Sequence, residues 1–264
     1  MEAILEAIVV AKKRRLLAQS RQYLPWEVAE LLTSPRENSF LEVFSGPGPN
    51  IVAEIKLSSP SKGKFISFSE IPRFVTLYER GGARAISVVT EEDHFQGGSQ
   101  VLQEVVRLTH LPILRKDFVL EETQVYETRK LGAQALLLIA RILSRERLGH
   151  FVDLCTMLGI VPVVEVHDER DLKKALEVQA PVVGINNRDL VTFRVSLEVT
   201  LRLLSSIPKD TVVLTESGIH TREDLEMFFE RGVRNFLIGE ALLTSPNPLG
   251  KLLEFRGERE IARC

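Results

Sequence analysis

The chain has 264 residues, 44% of them hydrophobic and 27% charged, an ordinary globular composition long enough for one large barrel or two smaller domains. Thirty-four basic against thirty-six acidic residues leave a formal net charge of -2, which argues against a nucleic-acid or membrane-surface protein; an anionic partner must be met by a local site. Two cysteines, Cys155 and Cys264, are too few for a disulfide scaffold and point to a reducing, cytoplasmic setting, and no apolar run approaches the roughly 18 residues needed to span a bilayer.

The chain opens "MEAILEAIVVAKKRR", with its basic cluster after the apolar stretch, the reverse of a secretory signal. Glu2 and Glu6 argue against a mitochondrial presequence. Ile4, Leu5, Ile8 and Leu16 fall near helical spacing, which predicts an amphipathic helix. The Gly/Pro stretch 46–49 reads as a link, so residues 1–48 are expected to form a helical extension and linker.

Eight short apolar runs follow, at 51–56, 85–89, 112–116, 135–140, 161–166, 182–187, 211–216 and 235–239, spaced 21 to 34 residues apart. They are too short for helices and too continuous for half-exposed strands, which favours parallel strands covered on both faces. Four of them share a lead-in: "ERGGARAISVVT", "RKLGAQALLLIA", "TMLGIVPVVEV" and "ERGVRNFLIGE". In each, a helical tail ends at a glycine (Gly82, Gly132, Gly159, Gly232) suited to the left-handed position just past a helix. Amphipathic segments fill the gaps, such as "EIPRFVTLYERGG" after a Ser67–Glu70 capping box and "DERDLKKALEV" opening at Asp168. The sequence therefore predicts one α/β domain over 1–264, a (β/α)8 TIM barrel with an N-terminal helical extension. An open doubly wound sheet is the rival, but "GPGPN" precedes its strand and so is no dinucleotide loop.

In such barrels chemistry sits where strands end and βα loops begin. Glu54 and Lys56, two apart, share one side of the first strand. Lys116, Glu165, Asn186 with Arg188 beyond it, and Glu216 with Ser217 end the third, fifth, sixth and seventh. Burying that many charges at one mouth without a ligand is costly, and alternating carboxylates and ammoniums shift one another's pKa values, as acid–base work requires. Gly218 after strand seven, Gly239 where a helix begins, and Ser59 in the first loop together favour a phosphate monoester. No HExxH, GxSxG or Walker loop occurs, and the five histidines lack metal spacing. His167 follows Glu165 at a strand end and could touch substrate, although a loop histidine is more commonly solvated. Cys155, within "HFVDLCTML", reads as packing.

The segments "AEIKLSSPSKG", "VVTEEDHFQGG", "PILRKDF", "LLIARIL", "VEVHD", "GINNRDLVTF", "TESGI" and "FLIGEALL" resemble, in order and over nearly the whole chain, the indole-3-glycerol phosphate synthase family. The resemblance implies closure of 1-(2-carboxyphenylamino)-1-deoxyribulose 5-phosphate to indole-3-glycerol phosphate with loss of CO₂ and water, in tryptophan biosynthesis. It implies no metal and no cofactor. It also implies an N-terminal helix lying over the barrel mouth.

Carried over by motif, Lys116 would be the general acid on the ketone, Glu165 the base assisting dehydration, and Glu54 the completion of the set. Lys56 would pair with substrate anionic groups, with the division of proton transfer between the two lysines left open. Asn186, Glu216 and Ser217 would hold substrate, Arg188 would lie near the carboxylate, and Ser59, Gly218, Gly239 and Glu240 would contact phosphate. Phe95, Phe118 and Leu190 would wall the anthranilate ring. Leu57 stands where many members carry a basic residue, a contact for which Lys62 is the expected substitute.

Two rivals have distinct signatures. A phosphoribosylanthranilate isomerase would place a Cys/Asp pair at strand ends, and no cysteine ends a strand here. A catalytically dead sugar-phosphate binder would keep the glycines and lose Lys116 and Glu165. The expected partner is a small phosphorylated substrate, with no nucleic acid and no membrane.

Overall fold

A continuous apolar run has to be covered on both faces, and closing all eight into a ring does so. The computed structural model describes residues 3–19, 22–34 and 38–258; Met1, Glu2 and Cys264 lie outside them. Strands β1 (Asn50–Ile55), β2 (Ala85–Val89), β3 (Ile113–Lys116), β4 (Ala135–Ile139), β5 (Val161–Val166), β6 (Val182–Asn186), β7 (Val212–Glu216) and β8 (Asn235–Ile238) form a closed parallel barrel. Closure comes through β1, which sets Ile51 beside Phe236 of β8 and Ala53 beside Ile86 of β2. The third strand starts one residue later than expected. Pro112 has no N–H to give, although its carbonyl still accepts from Ile86 N–H at 3.0 Å.

Alternation along each strand sorts the residues. Val52, Ala85, Leu114, Ala135, Leu137, Val163, Val182, Leu214 and Leu237 pack together as the barrel interior. Their neighbours Ile51, Ala53, Ile86 and Val88, and Leu136, Val164 and Val183 on the far side, pack outward against helices. Phe40 and Val43, from a 3-10 turn spanning Phe40–Ser45, belong to the interior cluster.

Helices α3 (Ile71–Arg80), α4 (Ser99–Leu108), α5 (Glu122–Leu131), α6 (Arg145–Met157), α7 (Glu169–Glu177), α8 (Glu198–Leu204), α9 (Arg222–Phe229), α10 (Glu240–Leu243) and α11 (Pro248–Arg256) follow the strands, and α1 (Ala3–Gln19) and α2 (Pro25–Thr33) precede them. The expected amphipathic faces form: α3 buries Ile71, Phe74, Val75 and Tyr78. Ser67 N–H donates to Glu70 Oε2 at 2.8 Å ahead of α3, and the Asp168 side chain caps α7 by accepting from Asp171 N–H at 2.9 Å. Gly82, Gly132, Gly159 and Gly232 take φ of 74°, 95°, 65° and 83°, as the helix exits require. Cys155 is fully buried in α6, and burial alone pushes its thiol far up.

The N-terminal helix departs from its expected face in one respect. Ile8 is buried but Ile4 is 37% exposed, and the stripe passes instead through Lys12, which is 2% exposed. Lys12 Nζ lies 2.6 Å from Glu92 and 2.8 Å from the buried Asp117, and Arg15 contacts Asp93. An ammonium sits in the buried stripe because two acidic loops at the C-terminal ends of β2 and β3 receive it. Those contacts pin α1 to the loops at the C-terminal rim of the barrel. Lys12 stays charged: burial opposes this, but Asp117 and Glu92 outweigh it and raise its pKa.

Candidate active site

The alternation that builds the interior also sets what reaches its open end. Val52, Glu54 and Lys56 share one parity on β1, as do Leu114 and Lys116, Val163 and Glu165, Val182, Gly184 and Asn186, and Leu214 and Glu216. The lower members fill the core, and the upper ones line a cavity that opens to solvent. All fifteen residues singled out from sequence line it: Glu54, Lys56, Lys116, Glu165, Asn186, Arg188, Glu216, Ser217, Phe95, Phe118, Leu190, Ser59, Gly218, Gly239 and Glu240.

Lys116 is the hub. Its Nζ lies 2.6 Å from Glu165 Oε2 and 3.0 Å from Glu216 Oε2, and both carboxylates are 1% exposed. A second pair stands beside it, Lys56 Nζ 2.6 Å from Glu54 Oε1. Tyr78, fully buried on α3, fixes this strand tip by donating its hydroxyl to Glu54 O at 2.9 Å.

The charges of the first group are strongly interdependent. Burial disfavours an ammonium at Lys116, yet Glu165, Glu216 and Glu54 together hold its pKa well above the ordinary lysine range. Burial likewise works against charge on Glu165, but Lys116 and His167 dominate and keep it ionised. Glu216 differs. Burial, with Glu165 and Glu54 adding repulsion, pushes it up to about 7 despite Lys116. Among the described residues its Oε1 has no hydrogen-bond partner. The cavity thus holds a firmly charged ammonium, a firmly ionised carboxylate and one poised carboxyl on a few ångströms of wall. That combination can move protons at neutral pH.

Glycines make room for these groups. A methyl at Gly184, on β6, would overlap Glu216 Oε1, and one at Gly239 would overlap Glu54 Oε1. Gly184 has an ordinary backbone, so Gly184→Ala keeps the strand and displaces only the far end of Glu216. The expected result is a kcat lower by roughly tenfold to a hundredfold, since about an ångström of misplacement costs that much, with a melting temperature near wild type. Unchanged kcat would show that Glu216 needs no fixed position.

At the end of the cavity expected to take phosphate, Ser217 and Gly218 follow one another in the lining with φ of 64° and 83°. Arg188 Nη2 pairs with Glu240 Oε2 at 3.0 Å, and Lys62 lies 3.3 Å from the other oxygen of that carboxylate. The Glu240 side chain would repel a phosphate, so its expected contribution reduces to the backbone N–H at the start of α10. Phe95 and Phe118 have ring centroids 6.4 Å apart and planes tilted by 36°, an apolar wall on one side of the cavity.

Two expectations are corrected. Leu57 does not face the cavity; it is of opposite parity to Lys56 and packs outward with Ile55 and Ile66, while Lys62 is engaged by Glu240. His167 is neither solvated nor in the cavity: its side chain is 2% exposed and sits behind Glu165.

Other residues escaped sequence reasoning. Glu91, fully buried, accepts N–H bonds from Asp93, His94 and Phe95 at 3.1, 2.7 and 3.0 Å and so shapes the loop carrying Phe95. Asp117 accepts from Phe118 N–H at 2.8 Å and from Thr90 Oγ1 at 2.8 Å. Phe193 adds an aromatic face to the lining. Their segments were visible; their partners were not. Among the described residues no three His, Cys, Asp or Glu side chains group as metal ligands, and no helix is long and apolar enough to cross a membrane.

The chain matches the family model described as indole-3-glycerol phosphate synthase over residues 5–254. Proteins of that name from Lachnoclostridium phytofermentans and Legionella pneumophila are similar throughout. The first is 41% identical over 260 residues, covering 92% of this chain and 95% of the relative. The second is 37% identical over 250 residues, covering 95% and 93%. Among solved structures, the chain resembles 3-hexulose-6-phosphate synthase from Salmonella typhimurium with a TM-score of 0.63 at 10% identity, over 78% of this chain and 96% of the other. The N-acetylmannosamine-6-phosphate 2-epimerase from Clostridium perfringens gives 0.62 at 17% identity, over 79% and 93%. At such identities the likeness is one of fold.

Proposed function

The chain belongs to the indole-3-glycerol phosphate synthase family, and from that premise we propose how its barrel-mouth cavity carries out the reaction. The activity is that of a carboxy-lyase of tryptophan biosynthesis. It closes 1-(2-carboxyphenylamino)-1-deoxyribulose 5-phosphate to indole-3-glycerol phosphate, releasing CO₂ and water.

Attack of the aryl carbon on the ketone places negative charge on oxygen. Lys116, an ammonium between two carboxylates, stabilises that oxygen and protonates it. CO₂ leaves as the ring regains aromaticity, which needs no dedicated protein group. Dehydration then needs a base for the ring-side proton and an acid for the departing hydroxide. Glu165 is the base, and the Lys56–Glu54 pair completes the acid–base set. Asn186, Ser217 and Glu216 hold substrate polar groups, with Arg188 toward the carboxylate. The Phe95, Phe118 and Leu190 wall grips the aryl ring, while Ser59 and the backbone at Gly218, Gly239 and Glu240 take the phosphate. Anchoring both ends folds a flexible substrate until the two carbons meet. A single barrel domain over 1–264, a cytoplasmic setting and action on a small phosphorylated substrate without nucleic acid or membrane belong to the same reading.

The observation carrying it is the contact of Lys116 Nζ with both Glu165 and Glu216 inside one cavity. The test is an assay of the purified protein with the carboxyphenylamino-deoxyribulose phosphate, following indole fluorescence. Product formation is expected. Consumption of phosphoribosylanthranilate alone would overturn the reading.

A further inference from the structure

Behind Glu165, on the side away from the cavity, lies a charged chain that the proposed chemistry does not use. His167 Nε2 is 3.3 Å from Glu165 Oε1, and His167 Nδ1 is 3.5 Å from Asp171 Oδ2. Arg141 Nε in turn donates to Asp171 Oδ2 at 3.0 Å and also pairs with Asp168, so Asp171 is anchored from outside. Among the described residues neither ring nitrogen makes a well-aligned hydrogen bond, so these are ion-pair separations. The side chain is 2% exposed, and His167 is the one buried histidine among the described residues.

A neutral imidazole has one N–H and can serve only one of two facing carboxylates; two carboxylates on opposite nitrogens call for both protons. We propose that His167 is a positioning residue for Glu165: a buried imidazolium that keeps this carboxylate ionised and aimed while Lys116 is without its proton.

The need arises from the reaction sequence, and the inference rests on the functional reading above. When Lys116 has protonated the ketone oxygen it is neutral, and Glu165 has lost the cation on Oε2. A buried carboxylate stripped of its counter-charge would take up a proton and fail as the dehydration base. The imidazolium on Oε1 remains. Burial opposes charge on this ring, but Asp171 and Glu165 outweigh it and lift His167 to about 9, against a smaller contrary push from Arg141. Facing the ring are Glu165 from β5, Asp171 from α7 and Arg141 from the turn after β4, with Lys116 and Glu216 beyond Glu165.

The decisive variant is His167→Gln, which keeps polarity and approximate size without charge. Removing a cation beside Glu165 raises the pKa of that carboxylate, so the acid limb of the kcat profile should move to higher pH by about one unit. The drop in kcat at neutral pH is expected to be about tenfold, with KM within twofold, since His167 touches no substrate. A purely packing role would lower stability and leave the acid limb in place, and an unmoved limb overturns the proposal. If the variant fails to fold by circular dichroism, ¹⁵N-histidine NMR of the wild type decides. A buried ring with two slowly exchanging N–H protons at pH 7.5 supports the proposal, and a neutral ring at that site refutes it. Should the wild type lack synthase activity, the functional reading fails by itself, and the NMR result still reports the charge of His167.

Discussion

Lys116→Ala is expected to lower kcat by about a thousandfold or more while binding of a substrate analogue with the ketone reduced to an alcohol changes little. Among the described residues no other ammonium contacts both Glu165 and Glu216, and Lys56 is occupied by Glu54. The field of those carboxylates makes Lys116 a reluctant acid toward water but a good donor to an alkoxide, which is far more basic. Alanine removes both the proton and the charge that steadies the developing oxyanion. The sign of the secondary effect is also fixed. Lys116 lowers the pKa of Glu165 and partly offsets the rise at Glu216, so both carboxyls should titrate higher in the variant. Circular dichroism and a melting curve alongside kcat separate lost chemistry from lost folding. Turnover near wild type would remove Lys116 from its role.

Glu165→Gln should cost about a hundredfold to a thousandfold in kcat, with a different signature. The amide preserves shape and a contact for Lys116 but accepts no proton. Ring closure and decarboxylation, which depend on Lys116, should still proceed, so a single turnover should release CO₂ ahead of indole fluorescence as the hydroxylated ring-closed intermediate accumulates. If CO₂ release and fluorescence are slowed equally, Glu165 acts at ring closure and not in dehydration.

Sequence could locate these groups because of barrel geometry. A strand buried on both faces must be apolar throughout, so Glu54, Lys116, Glu165 and Glu216 each stand out as a break in a run whose bounds are readable to about a residue. The break falls at the C-terminal tip each time, and period-two alternation then places the side chain inward. Helix exits were equally plain, because few residues other than glycine accept positive φ without strain.

The pairing among these groups was not readable. Lys116 meets partners 49 and 100 positions away, and Lys12 meets one 80 positions away; such distances are fixed only when the ring closes. Lys12 belongs to the basic cluster that follows the apolar stretch, and its role as a buried clasp is invisible there because the acidity at its docking site belongs to other loops. Leu57 stands where a basic residue is expected to contact substrate, yet its parity turns it outward. His167 looked like a loop residue, and only the packing of α7 against β5 reveals it behind Glu165.

The order of elements, the closed barrel and the list of residues at its mouth were therefore settled by the chain's own pattern, since burial acts on each segment locally. Which carboxylate holds its proton, which lysine is committed to which partner, and what stands behind the base were settled by tertiary structure. These depend on desolvation and on charge separations of a few ångströms between segments that sequence leaves far apart.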